Sequence, residues 1–187
     1  MSAKADILKQ LNASLLHEQA ARAPAPQGDS GETLERVAPP QFKAFADMDF
    51  WYLTSPLEWT WEDPSRAPIA VPVGFTTDFA SVPSMFWSVV PPTGRYGLAA
   101  VVQDWLYWQQ SLKRAEADQV FHDAMAELQV PGWKRFVMTK AVRWFGGSYW
   151  HGNTHAKLRG EKRVLKAYPD DVKISWDVWR KTPDVFV

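Results

Sequence analysis

The sequence contains no cysteine, which excludes disulfides, thiolate zinc sites and cysteine nucleophiles. It also lacks net charge, with 21 Lys and Arg against 21 Asp and Glu, so no overall field draws the chain to nucleic acid. No apolar run approaches the roughly 20 residues of a membrane-spanning helix. The first residues include no apolar core of a signal peptide. We therefore expect a soluble protein that has no signal peptide and does not bind nucleic acid.

Aromatic residues are abundant, with 11 Trp and 10 Phe among 187 residues. Large rings dominate both protein cores and protein interfaces, so this excess predicts an aromatic core or an aromatic contact surface. The length suits one sizeable core with appendages rather than two domains.

The N-terminal segment carries leucines at helical spacing, and the Pro- and Gly-rich stretch that follows is typical of a linker. We predict an amphipathic helical arm over residues 1–22 and a linker over residues 23–45. A lone helix has nothing of its own to bury its apolar stripe against. Leu8, Leu11 and Leu15 are therefore candidate interaction residues. Their partner is the main domain, a second copy of the chain (self-association), or another protein.

Three short runs rich in aromatic and β-branched residues follow, at 50–53, 57–61 and 69–73. Turn-forming Pro, Ser and Asp residues separate them, which predicts three antiparallel strands. In the second run Trp59 and Trp61 alternate with polar residues, so one face of this small sheet is expected to be buried.

Helical spacing dominates the next region and predicts three helices: one over about 96–110, a second ending near Leu128, and a third beginning at Pro131. Gly146-Gly147 is the predicted C-cap of the third helix. Four basic residues decorate this helix, which is typical of a solvated face, with contact to a membrane surface or to phosphates as the alternative. These residues are Lys134, Arg135, Lys140 and Arg143.

The predicted fold class is α+β, with a small antiparallel sheet packed on a three-helix core, an N-terminal helical arm and an irregular C-terminal tail. The predicted globular domain covers residues 46–147, and the tail covers 148–187, with one further strand over 173–179. The tail is expected to lie over the domain or to serve in assembly. His151 and His155 stand at helical spacing in it, but no third ligand is indicated for a metal site.

Carboxylates in apolar surroundings are the candidate functional groups. Asp104 follows Gln103 in an otherwise apolar predicted helix, Asp118 borders the apolar stripe of the next helix, and Asp78 lies in a loop after a strand. Buried carboxylates need partners, a metal or a proton. One hypothesis is a catalytic site or an oxygen-ligand metal site shared by Asp78, Asp104 and Asp118, with Asp78 and Asp104 as the ligands if the metal is calcium. The other is that these side chains cap helices and hydrogen-bond Arg95, Tyr96 or backbone amides. The candidate binding residues are Asp78, Ser81, Arg95 and Tyr107.

Five motifs follow one another along the chain: 71–83 (VPVGFTTDFASVP), 91–96 (PPTGRY), 103–107 (QDWLY), Ala117-Asp118 with Phe121 and Met125, and 141–146 (AVRWFG). This ordered series closely resembles the phage-associated family called domain of unknown function 1353. The resemblance spans roughly residues 48–147 and implies an association with tailed phages or prophages. In that family the third motif usually begins with His-Asp, where this chain has Gln103.

The His-Asp-x-x-Tyr and Ala-Asp-x-x-Phe patterns also resemble the helix pair of secreted phospholipases of the A2 type. That resemblance implies that Gln103 replaces the histidine that activates water. It also implies that Asp118 stands where an aspartate orients that histidine, and that Asp104 ligates calcium. A glutamine side chain cannot accept a proton near neutral pH. We therefore interpret Gln103, Asp104 and Asp118 as a degenerate catalytic site, in which Gln103 is expected to hydrogen-bond Asp118.

The sequence thus favours a non-catalytic structural or assembly protein of a phage or prophage particle, in its tail or another part. Its partners would be other particle proteins, it would need no cofactor, and it would be found in the virion or the host cytoplasm. The alternatives are a hydrolase of lipid or cell-envelope esters, or an effector carried by a phage-like particle.

Overall fold

The computed structural model describes residues 40–79 and 96–187. The predicted arm with Leu8, Leu11 and Leu15, and the candidate binding residues Ser81 and Arg95, lie outside these ranges. In the described part the chain forms five short strands and four helices, which confirms the predicted α+β class.

The strands form two antiparallel sheets rather than one. The first has the order β1-β2-β5, and the second pairs β3 with β4, with Leu57 opposite Val71. The three predicted strands are confirmed as β2, β3 and β4. The two additional strands are β1, which lies within the predicted linker, and β5, which has only two residues. The bounds are β1 Phe42–Ala44, β2 Trp51–Leu53, β3 Leu57–Trp59, β4 Ile69–Val71 and β5 Thr76–Thr77.

The three predicted core helices are confirmed, as α1 Gly97–Gln109, α2 Arg114–Glu127 and α3 Gly132–Leu158. The C-cap predicted at Gly146-Gly147 is wrong, because α3 continues through both glycines for a total of 27 residues. Contacts with α1 hold this continuation in place. The side-chain amide of Asn153 donates to the carbonyl oxygen of Tyr107 over 3.2 Å.

The segment after α3 returns to the sheet. Val164 forms a β-bridge with Phe75, and Leu165 forms one with Phe186. The strand predicted over 173–179 is wrong, because this stretch contains a fourth, short helix, α4 Trp176–Trp179. Its start is held by Asp47, whose carboxylate accepts the backbone N–H of Trp176 over 2.9 Å.

Two hydrophobic clusters form the interior. The larger lies among the three long helices and β3–β4. The smaller joins β1 and β2 to the C-terminal segment, and its buried members are Phe45, Tyr52, Leu165, Trp176 and Val185. None of the helices in the described ranges combines the length and the apolarity needed to cross a bilayer.

Candidate functional site

The candidate site lies where α1 packs against α2, across the short connection formed by residues 110–113. Helix α1 is buried over most of its surface, as its apolar sequence predicts. Gln103 is completely buried, and Asp104 and Asp118 keep only 5% and 3% of their surface exposed. The carboxylates thus lie inside the fold and need compensating partners.

Asp118 is hydrogen-bonded through both of its oxygens. The hydroxyl of Tyr107 donates to Oδ1, and the guanidinium of Arg114 donates to Oδ2 over 3.2 Å. Burial raises the pKa of Tyr107 above its ordinary value of 10.0, and the bond to Asp118 raises that pKa further. The phenol therefore keeps its proton near neutral pH and serves as a donor to the carboxylate. Arg114 supplies the compensating positive charge.

Asp104 connects α1 to the sheet instead. The hydroxyl of Thr77, in β5, donates to Asp104 Oδ2 over 2.5 Å and accepts the backbone N–H of Phe79 over 3.2 Å. Asp78 follows β5 directly, is half-buried and is also engaged in interactions. Within residues 40–79 and 96–187, no group of three or more His, Asp or Glu side chains is placed to hold a metal ion. Calcium binding by Asp78 and Asp104 stays a prediction.

Gln103 does not hydrogen-bond Asp118, so that expectation is wrong. Tyr107 and Arg114 each donate to one oxygen of that carboxylate. In the described part of the chain, neither the nitrogen nor the oxygen of the Gln103 amide has a hydrogen-bond partner.

Three contributors to the site were missed from the sequence: Thr77, Gly146 and Arg114. The signal for Arg114 is its spacing, since it stands four residues before Asp118 on the same helix. Thr77 stands beside Asp78 in the motif of residues 71–83. A hydroxyl next to a loop carboxylate is the signal that could have drawn attention to Thr77. Gly146 lies against the Tyr107 hydroxyl, and an added Cβ there would clash with that oxygen. The predicted site residue Tyr107 is thereby confined between α2 and α3.

Comparison with known proteins places this site in a family. The model of a family described as a protein of unknown function, DUF1353, matches residues 51–142. An uncharacterized protein of Sinorhizobium fredii, y4jT, is 30% identical over 121 residues, which cover 64% of this chain and 33% of that protein. The chain thus aligns with about a third of its relative's length. No solved structure matches the chain significantly.

The similarity to secreted phospholipases is not among these matches and stays a prediction. The ordered motifs and the family match agree: the region spanning residues 51–142 belongs to the DUF1353 family, whose function is unknown.

Proposed function

We propose that the chain is a non-catalytic structural or assembly component of a phage or prophage particle. The non-catalytic part rests on the observation that residue 103 is a glutamine. Gln103 occupies the position at which the resemblance implies a histidine base, and it is completely buried. A neutral amide can neither take a proton from water nor return one near neutral pH.

The partners of the two carboxylates support the same proposal. A general base must come within hydrogen-bond reach of the water or substrate that it deprotonates. Asp118 is instead bonded to Tyr107 and Arg114, and Asp104 is bonded to Thr77. The Tyr107 bond joins α1 to α2 and the Thr77 bond joins α1 to β5, whereas the Arg114 bond lies within α2. They suit a network that fixes the relative positions of structural elements.

The association with a phage or prophage particle rests on the resemblance of the five motifs to a phage-associated family. Its partners would then be other particle proteins, and it would be found in the virion or in the host cytoplasm. Mass spectrometry of particles purified from an induced lysogen that encodes the chain tests this part. We expect peptides of the chain at a constant ratio to a major particle protein. Purified particles that lack the chain would overturn the assembly role.

An assay on purified protein tests the non-catalytic part. Phospholipid and cell-envelope ester substrates are supplied with and without calcium, and we expect no turnover above the protein-free rate. Hydrolysis that disappears in Asp104→Asn, but survives in the exposed control Asp170→Asn, would overturn the proposal. Calcium titration of the same proteins, followed by calorimetry, separately tests the predicted ligands Asp78 and Asp104.

One alternative is a hydrolase of lipid or cell-envelope esters, and another is an effector carried by a phage-like particle. One observation favours the hydrolase: Asp104 and Asp118 are both buried on neighbouring helices, as the phospholipase resemblance requires. Gln103→His places an imidazole at the implied position of the base. Hydrolysis gained by this variant alone would identify the site as a degenerate catalytic one, in agreement with the proposal.

A further inference from the structure

The charges of the chain are unevenly distributed, although their sum is zero. No Asp or Glu occurs from Leu128 to Gly160, a stretch that includes the whole of α3. In the same stretch α3 carries five basic residues, Lys134, Arg135, Lys140, Arg143 and Lys157. This helix is therefore a positively charged element within a neutral protein, and the positive charge attracts an anionic partner.

The outward face of α3 also exposes large aromatic rings. Trp133, Phe136 and Trp144 are 55%, 63% and 71% exposed. Helical spacing places Lys140 and Arg143 on the same face, whereas the opposite face buries residues such as Met138 and Val142. We call these five residues, Trp133, Phe136, Lys140, Arg143 and Trp144, the α3 outer face. Lysines lie near two of its rings, with Lys134 Nζ 5.5 Å from the Trp133 ring and Lys140 Nζ 5.5 Å from the Phe136 ring.

We propose that the α3 outer face binds the surface of an anionic lipid bilayer. Tryptophan and other aromatic rings favour the headgroup level of a bilayer, and a helix with basic residues beside exposed aromatic rings is suited to lie in that plane. The cations at Lys140 and Arg143 would then approach lipid phosphates. Because no helix in the described ranges can span a membrane, this binding is peripheral.

Charge complementarity favours an anionic bilayer as the partner of the α3 outer face over a second copy of the chain and over the predicted N-terminal arm. A second copy of the chain would bring the same basic face against itself in a two-fold contact, and like charges repel. The predicted N-terminal arm carries Lys4, Lys9 and Arg22 against Asp6 and Glu18, so its net charge is also positive. Anionic lipid headgroups supply the missing negative charge at high surface density.

Vesicle cosedimentation of the full-length chain tests the proposal. Vesicles of phosphatidylcholine alone are compared with vesicles of equimolar phosphatidylcholine and phosphatidylglycerol. We expect binding to the anionic vesicles that weakens as salt is added. The partition constant should fall about fivefold for each of Lys140→Gln and Arg143→Gln, because each basic residue near such a surface contributes about 1 kcal/mol. Trp144→Ser and Phe136→Ser should reduce binding to both kinds of vesicle.

Matched variants elsewhere on the surface provide the controls. Val172 is 87% exposed and Lys173 is its exposed neighbour, both outside α3. Val172→Ser and Lys173→Gln should leave the partition constant unchanged. Equal binding to both lipid compositions, or equal binding by Trp144→Ser and the wild type, would overturn the proposal. So would a chain that dimerises in sedimentation velocity, loses the dimer in Trp144→Ser, and ignores vesicles.

Discussion

At Gln103 the chain carries a primary amide into an apolar core, where its two polar atoms find no partner among the described residues. An unpaired buried polar group costs about 1–3 kcal/mol of stability. Gln103→Leu keeps a similar volume and removes that cost, so we expect the free energy of unfolding to rise by about 1–2 kcal/mol in urea denaturation. The exposed control Gln41→Leu should change it little. A less stable Gln103→Leu would mean that the amide has a partner, such as a buried water.

Tyr107 makes the opposite contribution, because its hydroxyl satisfies a buried carboxylate. Tyr107→Phe leaves Asp118 with Arg114 as its remaining side-chain donor in the described structure. Hydrogen bonds to charged groups contribute about 1.5–3 kcal/mol, so we expect a loss of that size in thermal or urea unfolding. The control is Tyr149→Phe, at a tyrosine that is 44% exposed, and should be neutral. Equal effects of the two variants would show that the Tyr107–Asp118 bond does not stabilise the fold.

The same residue gives the fold a pH dependence. The pKa of Tyr107 is raised in the folded state, chiefly by burial, so the folded chain holds this proton more tightly than the unfolded chain. The contribution to stability is complete below pH 10 and is lost as the pH rises above that value. Tyr107→Phe should flatten the decline of stability above pH 10, measured by unfolding at each pH. Tyr96, whose pKa burial also raises, keeps its own share of the decline.

At the scale of elements, α3 contains a built-in comparison between adjacent glycines. A Cβ at Gly146 would clash with the Tyr107 hydroxyl, whereas a Cβ at Gly147 would meet nothing within 4 Å. We expect Gly146→Ala to destabilise the protein by about 1–3 kcal/mol through overpacking. Gly147→Ala should stabilise it by about 0.5–1 kcal/mol through the higher helix propensity of alanine. Thermal unfolding measures both, and a stabilised Gly146→Ala would mean that Tyr107 moves aside freely.

These glycines also show why the end of α3 was mispredicted. Two consecutive glycines are a reasonable local signal for a helix end. The helix nevertheless continues, because Asn153 donates to Tyr107 in α1 and Trp150 accepts from Gln110 directly after α1, so the backbone gains more from packing than the glycines cost. Gly146 is needed for close approach to Tyr107 and does not form a cap.

For the whole molecule, the placement of the tryptophans separates packing from surface function. Trp176 is 7% exposed and packs against Phe45 and Phe50, whereas Trp144 is 71% exposed. We expect Trp176→Ala to cost about 3–5 kcal/mol and Trp144→Ala to stay within about 0.5 kcal/mol of the wild type. Urea unfolding followed by circular dichroism measures both. A small effect at Trp176 would show that the smaller cluster contributes little to stability.

The α+β class, the succession of helices and the family of residues 51–142 all follow from the sequence. Each depends on local periodicity, on turn-forming residues or on the order of motifs along the chain, and these are properties of neighbouring residues. The burial of the carboxylates was also expected, because Asp104 has apolar neighbours on both sides of its helix. The observed α+β fold confirms the predicted class, and the match to the family model confirms the predicted family.

Most partners of the buried groups follow only from the folded structure, because those contacts join different elements; the exception is Arg114, which lies four residues from Asp118 in α2. Thr77 comes from β5 to bond Asp104, and Tyr107 crosses to α2 to bond Asp118, which leaves Gln103 without the partner expected for it. Trp176 likewise packs on Phe45 from the other end of the described chain, and Val185 joins the same cluster. No periodicity encodes such long-range pairs, since they depend on the position of each element in three dimensions.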